Sequence, residues 1–273
     1  MLMPREFAAA GSHSPSMTLL TAKLELGGAW GGSAMEDAAT VIERARAACL
    51  AGVTLLSDRQ PDKLRVDDQS GSNPSIWLHP GAATTGWIMV TVGDRDWCKL
   101  AYQFGHELGH VLCNSWAQDA KPRNPCQWIE EALVEAFSLR GLRLLADDWR
   151  HTPPFLNDAD FAISIERYGA RMLDGYRALN PDGASGLRAW FTSHEAFLKE
   201  NGGVDAASGA VSTMLALLES DAAMITDMGA LNRWPERSGV PVHDYLRLWK
   251  TSCSQLNAPG RLPARLQKLL AKS

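Results

Sequence analysis

The chain has 273 residues, 45 % hydrophobic and 21 % charged, with a net charge of −4 and a pI near 6.0. Those proportions describe a globular protein with room for one large domain or two modest lobes around a proper core. The acidic balance argues against a nucleic-acid surface, and no apolar run reaches the length of a membrane span, so neither nucleic acid nor membrane is an expected partner.

The five cysteines, Cys49, Cys98, Cys113, Cys126 and Cys253, are odd in number and irregular in spacing, and none forms a Cys-x-x-Cys pair. They make neither a disulfide framework nor a thiolate metal site, so reduced thiols are expected. Cys113 and Cys126 are the pair that an oxidising setting could bridge. The first 17 residues lack a signal-peptide core, which points to a cytoplasmic protein. Export by a route without a signal peptide leaves no mark in a sequence.

In chain order, residues 1–17 are rich in Ala, Ser, Gly and Pro and read as a flexible tail. Residues 18–27 alternate over their second half and suggest a strand. A helix is expected from about Ala34 to Ala51, opened by Ser33-x-x-Glu36 as a capping box. The polar stretch 57–75, punctuated by Pro61, Gly71 and Pro74, reads as a long loop. Ser75 to His79 reads as a short strand, and Gly86 to Gly93, bounded by glycine at both ends, as the clearest one.

From Asp94 onward the pattern is helical. One helix is expected to about Asn114 and another from Pro125 to about Trp149, with Asn124 as cap and Pro125 at the first position. His151-Thr152-Pro153-Pro154 marks a boundary, so the expected division is 18–150 and 151–273. Further helices are expected near 158–179, 186–200, 205–219, 221–231, 240–254 and 262–271. The last is basic and amphipathic and is expected to pack on the body.

The chemistry gathers in the two helices at 94–149. His106-Glu107-Leu108-Gly109-His110 places two imidazoles one turn apart on one face, where both can reach a single metal ion. Glu107 lies about 100° round the helix from His106, beside the metal and placed to take a proton from a water activated there. Leu100, Phe104, Leu108 and Val111 form the core-facing stripe. The second helix, after a polar loop of residues 114–124, carries Glu131 and Glu135 one turn apart on a single face. A carboxylate from there can complete a two-histidine, one-glutamate zinc site.

The pairing of His106-Glu107-x-x-His110 with Trp128-Ile129-Glu130-Glu131-Ala132-Leu133-Val134-Glu135 resembles the gluzincins, zinc metallopeptidases that include thermolysin and the M1 aminopeptidases. In the latter the second motif typically reads Trp-Leu-x-Glu-Gly-Phe-Ala-Glu. The resemblance covers roughly residues 86–140 and implies an α+β fold, with a zincin-like lobe of small mixed sheet and two zinc-binding helices followed by a mostly helical lobe. Position by position it puts Zn2+ on His106, His110 and Glu131, the general base on Glu107, and the acceptor for a ligand histidine's free N–H on Glu135. Glu130 as third ligand would leave Val134 where the supporting carboxylate belongs.

The substrate implied is a peptide or protein, with one strand of residues 75–93 pairing with its backbone. The resemblance also implies an oxyanion donor roughly sixty residues past the third ligand. His194 falls in that window, and Tyr168, Tyr176, His151, His243 and Tyr245 compete with it. Gly32-Ser33-Ala34-Met35-Glu36-Asp37 is similar to an M1 amino-terminus-binding motif but departs from it in its last residue and its distance from His106. The competing reading of the whole chain is a zinc-binding regulatory or interaction module without hydrolysis.

Overall fold

The computed structural model describes residues 18–53, 58–69 and 71–271. The tail expected at residues 1–17 lies outside them. A single helical turn, α1 (Thr18–Thr21), leads into β1 (Lys23–Gly28), and α2 (Met35–Cys49) crosses to β2 (Lys63–Asp68). Then come β3 (Ser75–Ile76) and β4 (Thr85–Val90). The sheet runs β1-β2-β4-β3, with β1, β2 and β4 parallel and β3 antiparallel at the edge.

The rest is helical: α3 (Trp97–Leu112), α4 (Gln127–His151), α5 (Phe161–Leu179), α6 (Gly183–Leu198), α7 (Val204–Ser220), the short α8 (Ala223–Thr226), α9 (Val242–Gln255) and α10 (Arg261–Leu270). This is the α+β class, a small mixed sheet followed by helices. No described helix is long and apolar enough to cross a membrane. All five cysteines are free and buried, Cys113 and Cys126 among them.

The stretch expected to be a loop at 57–75 contains β2, a correction with a clear cause. Lys63, Arg65 and Asp67 look outward, while Leu64, Val66 and Asp68 alternate into the core. Asp68 is at home there because its carboxylate accepts the Val92 N–H at 3.1 Å. Four of its six residues are charged, so the polar residues hid a period of two.

Two expected helix starts also differ. Ser33 does not cap α2; its hydroxyl donates to Asp94 and accepts the Arg95 N–H, tying that turn to the segment ahead of α3. Helix α4 begins at Gln127, with Asn124 and Pro125 in the preceding turn, and Gln127 spends its side chain on Glu131.

The core runs as one cluster from Leu19 to Leu266. Leu64, Val66, Ile88 and Val90 of the sheet join Val41 and Ile42 of α2 and Leu100, Phe104, Leu108 and Val111 of α3, all fully buried. The expected stripe of α3 is therefore its inner face. Helix α10 packs on the body through Leu262 and Leu266, as its amphipathic pattern predicts. Its start is held by Asp227, whose carboxylate accepts the N–H groups of Gly260 (2.7 Å) and Leu262 (2.8 Å).

Candidate metal centre

Helices α3 and α4 meet antiparallel, and glycines set how closely. A Cβ added at Gly109 would lie 2.8 Å from Val134 Cβ, and one at Gly105 would lie 3.0 Å from Ser138 Oγ. Ser138 also donates to the Tyr102 carbonyl at 2.7 Å. With the backbones this close, the histidines of α3 reach the carboxylates of α4.

The imidazole Nε2 atoms of His106 and His110 lie 3.7 and 3.6 Å from Glu131 Oε2. All three donor atoms fall within 4.8 Å of one another. Donors bonded to one tetrahedral ion at about 2.0–2.2 Å stand roughly 3.4 Å apart, so one ion can touch all three. Both ring orientations suit it. His106 Nδ1 pairs with Glu135 Oε2 at 2.8 Å, and His110 Nδ1 with Glu130 Oε1 at 2.8 Å. Each carboxylate takes the Nδ1–H and so leaves the Nε2 lone pair for a metal. The other oxygen of Glu131 accepts from Gln127 Nε2 at 3.1 Å.

The supporting carboxylates are themselves held. Glu135, fully buried, accepts from the hydroxyls of Tyr102 (2.5 Å) and Tyr176 (2.9 Å) on its second oxygen. Glu130, also buried, accepts from Ser115 Oγ and from Asn232 Nδ2 at 2.7 Å, with the Arg237 guanidinium 3.6 Å away. Arg237 in turn donates to Ser115 Oγ, and Tyr245 donates to Asn232 Oδ1 at 3.0 Å. The second oxygen and the positive charge are what make a buried carboxylate tolerable.

Charge at the centre follows from these contacts. Burial works against charging His106, but Glu131 and Glu135 outweigh it and raise its imidazole to about 9. His110 is likewise raised well above the usual histidine range, Glu131 and Glu130 overcoming burial. Burial would lift Glu131 and Glu130, yet the imidazoles, and Arg237 for Glu130, hold both below the ordinary carboxylate value. Glu107 goes the other way: burial raises it, with the two imidazoles opposing. Its carboxylate makes no hydrogen bond to any described residue.

A cleft of about 590 Å³ opens over the group, its lining including Ser75, Ile76, Leu78, Gly203 and Val204. Glu107, His106, His110, Glu130, Glu131 and Glu135 all border it. Thus five residues singled out in the sequence come together, Glu107, His106, His110, Glu131 and Glu135.

His194 does not join them. It is exposed on α6, its ring stacked on Trp190 at 5.3 Å and its Nδ1 2.9 Å from the Trp190 carbonyl, beside a separate hollow of about 360 Å³. Its sequence distance matched the family window, but on α6 it lines that hollow and not the cleft. Of its competitors, Tyr176 and Tyr245 reach the centre indirectly, through Glu135 and Asn232. His151 and His243 are exposed, and Tyr168 packs on the Tyr102 ring.

Sequence reading missed Glu130 as the partner of His110, along with Ser115, Asn232 and Arg237. One signal for Glu130 was present. In an antiparallel pair the later histidine meets the earlier carboxylate, which pairs His106 with Glu135 and His110 with Glu130.

Fold and site together define an α+β protein carrying a candidate His-His-Glu metal group. Set against models of known protein families, curated proteins and solved structures, the chain matches none.

Proposed function

We propose that the chain is a zinc-dependent peptidase of gluzincin type, hydrolysing a peptide or protein substrate in the cleft over His106, His110 and Glu131. Two imidazoles and one carboxylate are a donor set that favours zinc among the divalent ions. The observation that carries the reading is Glu107. Holding a metal does not need it, yet it is buried at the centre's edge, borders the cleft and is left without a hydrogen bond.

Zinc bound there would supply Lewis acidity, polarising a carbonyl and making a water easier to deprotonate. The chain's own residues do the remainder. Glu107 takes the proton of the attacking water and returns it to the leaving amine, a role its raised pKa suits. Glu135 and Glu130 keep both imidazoles in the tautomer that binds metal. The edge strand β3 contributes Ser75 and Ile76 to the cleft wall, where an extended substrate backbone can add to the sheet.

The test is metal content by mass spectrometry, then peptide-library cleavage, on wild type, Glu107→Gln and Glu131→Ala. About one zinc per chain is expected in wild type and Glu107→Gln and much less in Glu131→Ala, with cleavage by wild type alone. Wild-type protein that takes up no metal sinks the reading. One observation favours a second reading, a zinc-binding module without hydrolysis: His194, the residue picked as oxyanion donor, lies outside the cleft. Full zinc with no cleavage across the library would establish that alternative.

A further inference from the structure

The buried polar groups of the cleft can be followed one by one, and nearly all are committed. Tyr102 donates to Glu135, Ser115 to Glu130, and both histidines use Nδ1 on a carboxylate. Glu107, the base, is one exception, and Gln103 is another. It stands one turn before Glu107 and His106 on the same face of α3, is 8 % exposed, and lines the cleft.

Its amide oxygen accepts the Thr91 N–H at 2.9 Å, just beyond the end of β4. An N–H can only face the oxygen, so that contact decides which end of the amide is which. The NH2 group on the other side donates to no described residue, and it is not among the side-chain atoms sealed from solvent without a partner. The residue lines the cleft, and this unbonded donor is not sealed from solvent. A long side chain held this way has already lost its rotamer freedom, so a ligand meets it ready to bind.

Resting on the peptidase reading above, we infer that Gln103 is a substrate-binding residue. Its NH2 donates to a main-chain carbonyl of the bound peptide, on the side of the scissile bond that Glu107 serves. The donor is neutral and the acceptor belongs to the backbone, so the contact sets where the peptide lies without selecting its side chains. A peptide between β3 and α3 would be gripped from both walls.

The experiment uses the full chain loaded with zinc and two probes measured by calorimetry. Acetohydroxamate offers a metal-binding head alone; a succinyl-leucyl-alanine amide ending in the same hydroxamate adds backbone carbonyls. Two variants bracket Gln103. Gln103→Glu keeps an oxygen for Thr91 and loses the donor, and Gln103→Met is neutral and of similar length. Both are expected to weaken the peptide hydroxamate by about tenfold, the value of one hydrogen bond, and to leave acetohydroxamate within about twofold.

Equal weakening of both probes, or of neither, overturns the inference, as does a wild type that binds the two probes equally well. Wild-type protein that fails to bind acetohydroxamate overturns the peptidase reading itself, before any variant is made.

Discussion

Glu130, Glu131 and Glu135 sit within two turns of one helix, yet their surroundings give each a different task. Glu131 turns one oxygen to both Nε2 atoms, while Glu130 and Glu135 each take one Nδ1. Replacing either supporting carboxylate with alanine is therefore expected to lower metal affinity by about 10–100-fold without removing a ligand. Competition with a chelator of known affinity measures it, and an unchanged affinity in both variants would refute the supporting role.

A second expectation concerns pH. In the metal-free protein the imidazole of His106 is raised from its ordinary value of 6.5 to about 9 by Glu131 and Glu135 acting against burial. A raised folded pKa contributes stability that is fully present below 6.5 and lost as the pH rises through about 9. Metal needs the neutral ring, so affinity should rise over the same window and loading at neutral pH should release protons. Melting temperature of the metal-free protein against pH, and calorimetry in buffers of different ionisation heat, check the two halves. A metal-free melting temperature that climbs across that window would contradict the sign.

At the scale of elements, the contact of α3 with α4 decides whether these residues meet. Alanine at Gly109 would gain up to about 1 kcal/mol in helix propensity. Its Cβ would also fall 2.8 Å from Val134 Cβ and 3.1 Å from Val134 Cα, a neighbour that cannot yield without moving α4. Overpacking of that kind costs about 1–3 kcal/mol, so the clash wins. Gly109→Ala is expected to be less stable in urea and to bind metal more weakly; a variant more stable than wild type would show that α4 gives way freely.

This is also where legibility in the sequence divides. His106, Glu107 and His110 were readable because their relation is local, fixed by 3.6 residues per turn, whereas Glu131 and Glu135 were assigned through the resemblance of their motif to the gluzincins. Glu130 was visible but given no partner, because its meaning depends on the direction in which two helices cross. Strand β2 was hidden by its own outward charges.

On the scale of the whole molecule, the far end of the chain reaches back to the metal group. Asn232 lies 102 residues beyond Glu130, and with Arg237 and Tyr245 it builds the polar cage around that carboxylate. No periodicity or spacing reports on such pairs, which is why the sequence was silent on them and why His194 was chosen by distance along the chain alone. The same region anchors α10 through Asp227. Asp227→Ala removes the acceptor of two buried N–H groups and is expected to cost about 1–3 kcal/mol, loosening α10 first. Hydrogen exchange at residues 260–270 reads this directly, and unchanged protection there would show that apolar packing of Leu262 and Leu266 suffices.

The cage around Glu130 also bears on the order in which the protein comes into being. The candidate ligands His106, His110 and Glu131 and the Ser115 contact to Glu130 all lie before residue 132, but Asn232, Arg237 and Tyr245 follow Glu130 by 102 residues or more. Until they are made, Glu130 lacks the Arg237 guanidinium and the Asn232 amide that it faces in the finished fold. The finished setting of Glu130 therefore exists only once the chain has been made at least as far as Arg237.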